Sequence, residues 1–266
     1  MSLRFNVLAS GSTGNALLVQ TDEKTILIDA GLSARKIEQL MAQVGVSASE
    51  LDGILITHEH SDHIKGLGAI ARKHRLPVYA NQQTWQAMVP LIGDIDEVQQ
   101  RIFSTGDSLE FGGLLANSYA ISHDAAEPVG YTFQFGDRKL GLATDLGYAS
   151  TKVKETIFDS DMLILEANHD IELLRMGKYP WNIKRRILGD SGHLSNEAAG
   201  EVLVDLLEGR TKHVFLAHLS LQHNMIDLAR MSVTNVLRAR GIDIQARGVV
   251  IHDTYHDRPI DWQVIK

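Results

Sequence analysis

Four side chains able to bind metals, His58, His60, Asp62 and His63, fall within six residues of one another, directly behind the apolar run Gly53-Ile54-Leu55-Ile56. Imidazoles and carboxylates that follow a buried strand need partners, because a polar group taken out of water without one is costly. Two divalent ions held side by side would satisfy all four. The competing account is a solvated polar turn at a strand end.

Further donors stand at the ends of other apolar runs. His123 follows Ser118-Tyr119-Ala120-Ile121, Asp145 follows Leu140-Gly141-Leu142-Ala143-Thr144, and His218 follows Val214-Phe215-Leu216-Ala217. A polar residue just past a strand lies at the sheet edge, where active sites gather. Singly, each reads equally well as a cap or turn residue. With the first cluster they make five imidazoles and two carboxylates, a set suited to two metals. His193 stands two residues before Ser195, a good N-cap for a helix expected over 196–207. There it could steady a developing oxyanion or protonate a leaving group, although a plain loop and cap would look the same.

The stretch 175–186 carries Arg175, Lys178, Lys184, Arg185 and Arg186 with no acidic residue, and interleaves Tyr179 and Trp181. Such a pattern suits phosphate contact with base stacking, Lys184, Arg185 and Arg186 being the expected contacts. A solvated basic face is the alternative. Ser10, Ser12 and Asn15, in the turn Ser10-Gly11-Ser12-Thr13-Gly14-Asn15, offer hydroxyls and amides to a phosphate, though Gly and Asn in a tight turn need no such reason. His169 is expected close to the metals or hydrogen-bonded around them. His74, His213, His223, His252 and His256 read as surface or structural histidines.

The elements that must position these groups follow from the hydrophobic pattern. Strands are expected at 4–8, 16–20, 24–29 and 54–57, with a helix over 32–44 and another opening at Asp62. Short strands follow near 78–80 and 114–121, then a hairpin of 129–135 and 138–143 around Gly136-Asp137. The C-terminal half alternates helix 151–158, strand 161–166, helix 196–207, strand 213–217, helix 225–239 and strand 244–251. Its strands are apolar on both sides, as a covered sheet requires. The simplest packing is one α/β domain over 1–266, two mixed sheets with helices on their outer faces.

Composition narrows the field. With 44% hydrophobic and 22% charged residues the chain has an ordinary core. A net charge of −7 argues against unspecific binding to nucleic acid or anionic membranes unless a local basic patch overrides it. The N-terminal MSLRFNVLASG has no signal-peptide pattern, and no apolar run approaches the roughly 20 residues of a membrane span. The absence of cysteine excludes disulfides, thiolate nucleophiles and zinc–thiolate sites, and the cytoplasm is the expected compartment.

Asp29 in Ile28-Asp29-Ala30-Gly31, the cluster from His58 to His63, His123, Asp145 and His218 match, in order, the five motifs of the metallo-β-lactamase-fold hydrolases. The chain resembles that superfamily along essentially its whole length. The resemblance implies a four-layer αββα sandwich. It also implies that His58, His60 and His123 bind one metal, Asp62, His63 and His218 the other, with Asp145 bridging and Asp29 orienting the metal loop. Gly192-His193-Leu194-Ser195-Asn196 and Ala217-His218-Leu219-Ser220 resemble the paired histidine motifs of the phosphodiesterase branch. The Ser10 to Asn15 turn and Asn168-His169-Asp170 resemble the YycJ/WalJ group.

That resemblance implies a 5′ to 3′ DNA exonuclease linked to mismatch repair. It would use two divalent ions (Zn, Mn or Fe) and a water activated between them beside Asp62 and Asp145, with His193 assisting. DNA is expected in preference to RNA. The alternative is a small-molecule hydrolase of the same fold: a cyclic phosphodiesterase, thioesterase, lactonase or β-lactamase-like enzyme.

Overall fold

Short apolar runs broken by Gly, Ser, Asn and Asp set the opening strands, since those residues supply the turns. In the computed structural model, which describes residues 2–266, β1 (Leu3–Ala9), β2 (Ala16–Gln20) and β3 (Thr25–Ile28) form an antiparallel meander. A parallel partner for β3 needs a crossover, and α1 (Ala34–Gln43) provides it, leading to β4 (Gly53–Leu55). The Ser33 hydroxyl caps α1 by accepting from Lys36 N–H, and Ile37, Leu40 and Met41 bury one face. Each such fully buried side chain stabilises the fold by roughly 1.5–3 kcal/mol.

The chain continues through α2 (Ser61–Ile64), α3 (Leu67–His74), β5 (Val78–Asn81), α4 (Gln82–Ile92), β6 (Gln100–Phe103), β7 (Ser108–Phe111) and β8 (Leu114–Ala120). The helix expected from Asp62 is two helices. Gly66 lies so close to the Leu32 carbonyl that a side chain there would collide with it, and the helical run restarts after it. The helix α4 was not expected. Asn81 caps it, and Thr84, Trp85, Met88 and Ile92 supply its buried stripe, while Pro90 sits late enough to remove one backbone bond near its end.

The second half contains β9 (Val129–Phe135), β10 (Arg138–Ala143), α5 (Thr151–Ile157), β11 (Met162–Glu166), α6 (Ile171–Met176), α7 (Trp181–Leu188), α8 (Asn196–Leu206), β12 (His213–Ala217), α9 (Ile226–Ala239) and β13 (Val250–Asp253). β9 and β10 form the expected hairpin, and β10 to β13 run parallel in sequence order. The strand expected over 244–251 starts only at Val250. The Asp243 carboxylate accepts from the N–H groups of Gln245 and Ala246 and winds that stretch into turns.

The contacts divide the chain into two compact units. One comprises Met1–Ser118, Ala125–Val129 and Thr254–Lys266, the other Tyr119–Asp124 and Gly130–Asp253. The core of the first includes Leu27, Ile54, Ile56, Ile70 and Trp85; that of the second includes Leu163, Leu165, Leu203, Val214 and Val233. Among the described residues there are two mixed sheets of seven strands each, the sheet content expected of the chain. The first is β1 to β6 with the C-terminal strand Gln263–Ile265, and the second draws on β7 to β13. No helix among the described residues is long and apolar enough to cross a membrane.

Strand register decides where the chemistry lies. Ala143 pairs with Leu165, Leu165 with Leu216, and Glu166 with Ala217. Asp145, Glu166 and His218 therefore emerge from the C-terminal ends of three neighbouring parallel strands, where open α/β sheets place their ligands. In the first sheet, Ile28 pairs with Leu55, which sets Asp29 beside the loop that begins at Thr57.

Candidate metal centre

Asp29 leaves β3 in the left-handed region, with φ 59°. Its carboxylate accepts at 2.9 Å from Thr57 N–H and at 2.9 Å from the Thr57 hydroxyl, and Oδ2 lies 2.8 Å from His63 Nδ1. A carboxylate only accepts, so His63 carries a proton on Nδ1 and, when neutral, keeps its lone pair on Nε2. The Thr57 hydroxyl, its hydrogen committed to Asp29, presents a lone pair 3.0 Å from His58 Nδ1. His58 and His63 are buried and their ring centroids are 4.1 Å apart; the half-buried His60 ring lies 4.6 Å from that of His58. Asp62 Oδ2 stands 3.5 Å from His63 Nε2. Three imidazoles so close would repel one another if protonated, and neutral rings beside a carboxylate form a metal donor set.

In the second unit, Asp145 and His218 are also left-handed, with φ 59° and 56°. Asp145 is buried, its Oδ1 3.5 Å from His218 Nε2, 3.8 Å from His123 Nε2 and 3.8 Å from His193 Nδ1. His123 Nδ1 donates to the Gly192 carbonyl at 3.0 Å. Glu166, at the end of β11, collects four donors. Its Oε1 lies 2.8 Å from His193 Nδ1 and 2.9 Å from His218 Nδ1, and its Oε2 accepts from Leu146 N–H at 2.8 Å and Leu194 N–H at 3.0 Å. Burial alone would raise the Glu166 pKa. The positive charge and hydrogen bonds offered by His193 and His218 outweigh it and draw the value down to about 2. Donor atoms of Asp145, Glu166, His193 and His218 all lie within 4.8 Å of one another. With its oxygens occupied by four N–H groups, Glu166 holds the histidines in place.

His63, His123 and His218 share one preparation. Each gives Nδ1 to an oxygen that can only accept (Asp29, the Gly192 carbonyl and Glu166), which leaves Nε2 as the basic nitrogen. Metal-binding histidines are oriented in this way. The donors are nitrogen and oxygen throughout, a set that fits divalent zinc, manganese or iron. The residues present therefore fit divalent ions.

The remaining expected residues divide. Ser195 caps α8 as expected, accepting from Ala198 N–H at 3.1 Å, and the His193 side chain is 20% exposed beside Glu166. Glu166 was missed by sequence reasoning; its signal was an acidic residue closing an otherwise apolar strand. Of the two settings expected for His169, the hydrogen-bonded one is not seen, while its charge would act on Glu166 and His193. His169 is 1% exposed, neither ring nitrogen has a hydrogen-bond partner among the described residues, and burial pulls its pKa down to about 4.

Lys184 also differs: it lies on the inner face of α7, buried, with Nζ donating to the Arg175 carbonyl at 2.6 Å. Arg186 pairs with Asp124, and Arg185 is exposed. The Asn15 amide is committed to the Gly11 and Asp62 carbonyls at 3.2 and 3.3 Å and lies 3.2 Å from His63 Nε2. It ties the 10–15 turn to the metal loop. Ser10 is buried and Ser12 exposed.

Residues 24–218 match the family model described as "Beta-lactamase superfamily domain". Over 265 residues, covering 100% of both chains, the sequence is 52% identical to "Exodeoxyribonuclease YycJ" of Bacillus anthracis. Over 239 residues, 89% of each chain, it is 44% identical to "Exodeoxyribonuclease WalJ" of Streptococcus pneumoniae. Among solved structures it resembles the metallo-beta-lactamase fold protein YhfI from Bacillus subtilis, with TM-score 0.73, 16% identity and coverage of 98% and 99%. A diphosphatase from the PhnP family gives TM-score 0.66 at 20% identity, covering 100% and 98%. These two structures bear on the fold alone.

Proposed function

Because the chain belongs to the beta-lactamase superfamily, and within it to the YycJ and WalJ group, we propose that it is a metal-dependent exodeoxyribonuclease that digests DNA from the 5′ end. In this reading His58, His60 and His123 would hold one divalent ion and Asp62, His63 and His218 a second, with Asp145 a further donor to the centre. A single family match spans 24–218 and takes in both sets of residues. The observation that carries the reading is the common preparation of His63, His123 and His218, each with Nδ1 on an obligate acceptor and Nε2 left basic.

When bound, the ions supply Lewis-acid chemistry toward a phosphodiester and toward water. The chain's own residues do the rest. Asp29 holds the metal loop by its bonds to Thr57 and His63. Glu166 fixes the Nδ1–H of His193, so that Nε2 is the atom left to pass a proton to the leaving oxygen. Asp62 and Asp145 set the negative side of the centre. Arg185 and the exposed hydroxyl of Ser12 are assigned to phosphate contact, and zinc, manganese and iron are the candidate metals. A cysteine-free donor set works under reducing conditions, in keeping with the cytoplasm.

The test is digestion of a 5′-labelled DNA duplex by metal-loaded protein, with elemental analysis alongside. Labelled mononucleotide should appear first, and H58A should lose both digestion and metal. Hydrolysis of bis(p-nitrophenyl) phosphate with DNA left intact would overturn the nuclease reading in favour of a small-molecule hydrolase.

A further inference from the structure

We propose that Trp181 is a stacking platform for an unpaired nucleobase of the DNA strand, so that the enzyme grips single-stranded ends; this rests on the exodeoxyribonuclease reading. Of the three tryptophans, Trp85 is buried and Trp262 is half-buried with its Nε1–H donated to the Val44 carbonyl at 3.0 Å. Trp181 is 64% exposed. An indole is the largest apolar side chain, and leaving it in water forfeits its burial.

Its setting is built. Trp181 opens α7 directly behind Pro180, and Lys184, one turn on, places Nζ 5.5 Å from the ring centroid. Lys184 is itself buried and bonded to the Arg175 carbonyl, so the cation braces the indole from the protein side.

The surroundings name the occupant. Lys178 and Arg185 are exposed within four residues of Trp181, Arg175 is exposed but paired with Glu172 at 2.8 Å, and residues 175–186 carry five basic and no acidic side chains in a chain of net charge −7. An apolar peptide has no use for that charge, whereas a polyanion with flat apolar faces matches both features. In a duplex those faces are already stacked on their neighbours, so only an unpaired base can lie on the indole.

The helix also leads to the chemistry. His193 N–H donates to the Ile187 carbonyl at 3.0 Å, Arg186 pairs with Asp124 beside His123, and the Ser122 hydroxyl donates to the Asp190 carbonyl at 2.6 Å. Gly192 packs so closely on α7 that a side chain there would overlap the Ile187 and Arg186 carbonyls. From Trp181 to Ile187 the helix rises about 9 Å. A strand reacting beside His193 can therefore run back along α7 to the indole.

The experiment titrates the metal-loaded enzyme with a hydrolysis-resistant phosphorothioate oligothymidylate and follows tryptophan fluorescence. Binding should quench the exposed indole. W181A should lose the quench and raise Kd about 5- to 150-fold, the range for loss of one base–aromatic stack, and W181F should recover most of the affinity. An abasic strand with the same phosphates should bind wild type no better than oligothymidylate binds W181A. The loss in digestion should fall on KM for single-stranded DNA. W181A binding as tightly as wild type, or the abasic strand binding as tightly as oligothymidylate, would overturn the platform while leaving an active nuclease. Wild type that digests no DNA would remove the exodeoxyribonuclease reading itself.

Discussion

Replacing Glu166 with Gln keeps the shape of the side chain and removes its charge at the point where four N–H donors converge. A glutamine amide has one carbonyl and one NH2. Whichever way it is placed, two of the four donors lose their acceptor and face N–H groups instead. A stranded buried donor costs about 1–3 kcal/mol, and breaking a buried charged pair typically costs about 3–5 kcal/mol. His193 is partly exposed and recovers some solvation, so E166Q should lose about 3–5 kcal/mol of stability at pH 7, with most of the loss on the His218 and backbone side.

The pH dependence gives the sharper test. The Glu166 pKa is drawn down to about 2 from an ordinary 4.5, so the carboxylate stabilises the native state above pH 4.5 and that contribution is lost as pH falls toward 2. At about 1.4 kcal/mol per pH unit, the difference between wild type and E166Q should shrink by about 2 kcal/mol between pH 4.5 and pH 3. Urea unfolding at a series of pH values, followed by two probes to check that one transition is being measured, reads this directly. Activity at pH 7 should fall about 10- to 100-fold, as when an outer partner of a ligating histidine is lost. A stability difference that stays constant into acid, or an E166Q protein as stable as wild type, would refute the account of Glu166 as an ionised clamp.

His169 titrates in the opposite sense. Its folded pKa of about 4 lies below the ordinary 6.5, so the unfolded chain takes the proton first and wild type loses stability as pH falls from 6.5 toward 4, by up to about 3 kcal/mol. H169F should escape that loss, and its melting temperature should gain on wild type between pH 7 and pH 4.5; parallel curves would contradict this. D29N should weaken metal binding about 10- to 100-fold in chelator competition, because an amide cannot accept from Thr57 and His63 as the carboxylate does; unaltered affinity would deny Asp29 its holding role. G192A should lower stability by about 1–3 kcal/mol and cut activity, since the added methyl must push α7 or the His193 loop aside; a neutral outcome in unfolding and digestion assays would show that the contact yields.

What could be seen in the sequence was whatever is local. The four candidate ligands from His58 to His63 fall within six residues, so type and spacing point to them directly, whereas Asp145 and His218 each follow an apolar run and stand out only together with that cluster and the family resemblance. Glu166 closes an apolar strand too, but an acid at a strand terminus is also what an ordinary solvent-facing end looks like. Only the pairing of Glu166 with Ala217 and the approach of the 193–194 loop make it a buried acceptor. Lys184 and Asn15 went astray for a related reason. A long ammonium side chain can turn inward to cap the preceding helix, and an Asn amide can stitch two loops, neither of which spacing reveals. The two-sheet content followed from strands that are apolar throughout. The late start of β13 did not, because an Asp-led turn outcompeted an apolar run that would otherwise have paired.

Asp29, Asp145 and His218 each hold a backbone geometry that suits a residue without a β-carbon. Putting glycine at Asp145 or His218 would relax the main chain while deleting a ligand, whereas alanine deletes the ligand and keeps the conflict. The glycine variants should therefore outlast their alanine counterparts in thermal melts by about 1 kcal/mol each, all of them inert. Handedness and chemistry are opposed at these positions: the main chain carries a strain there that only the side chain's own bonds offset.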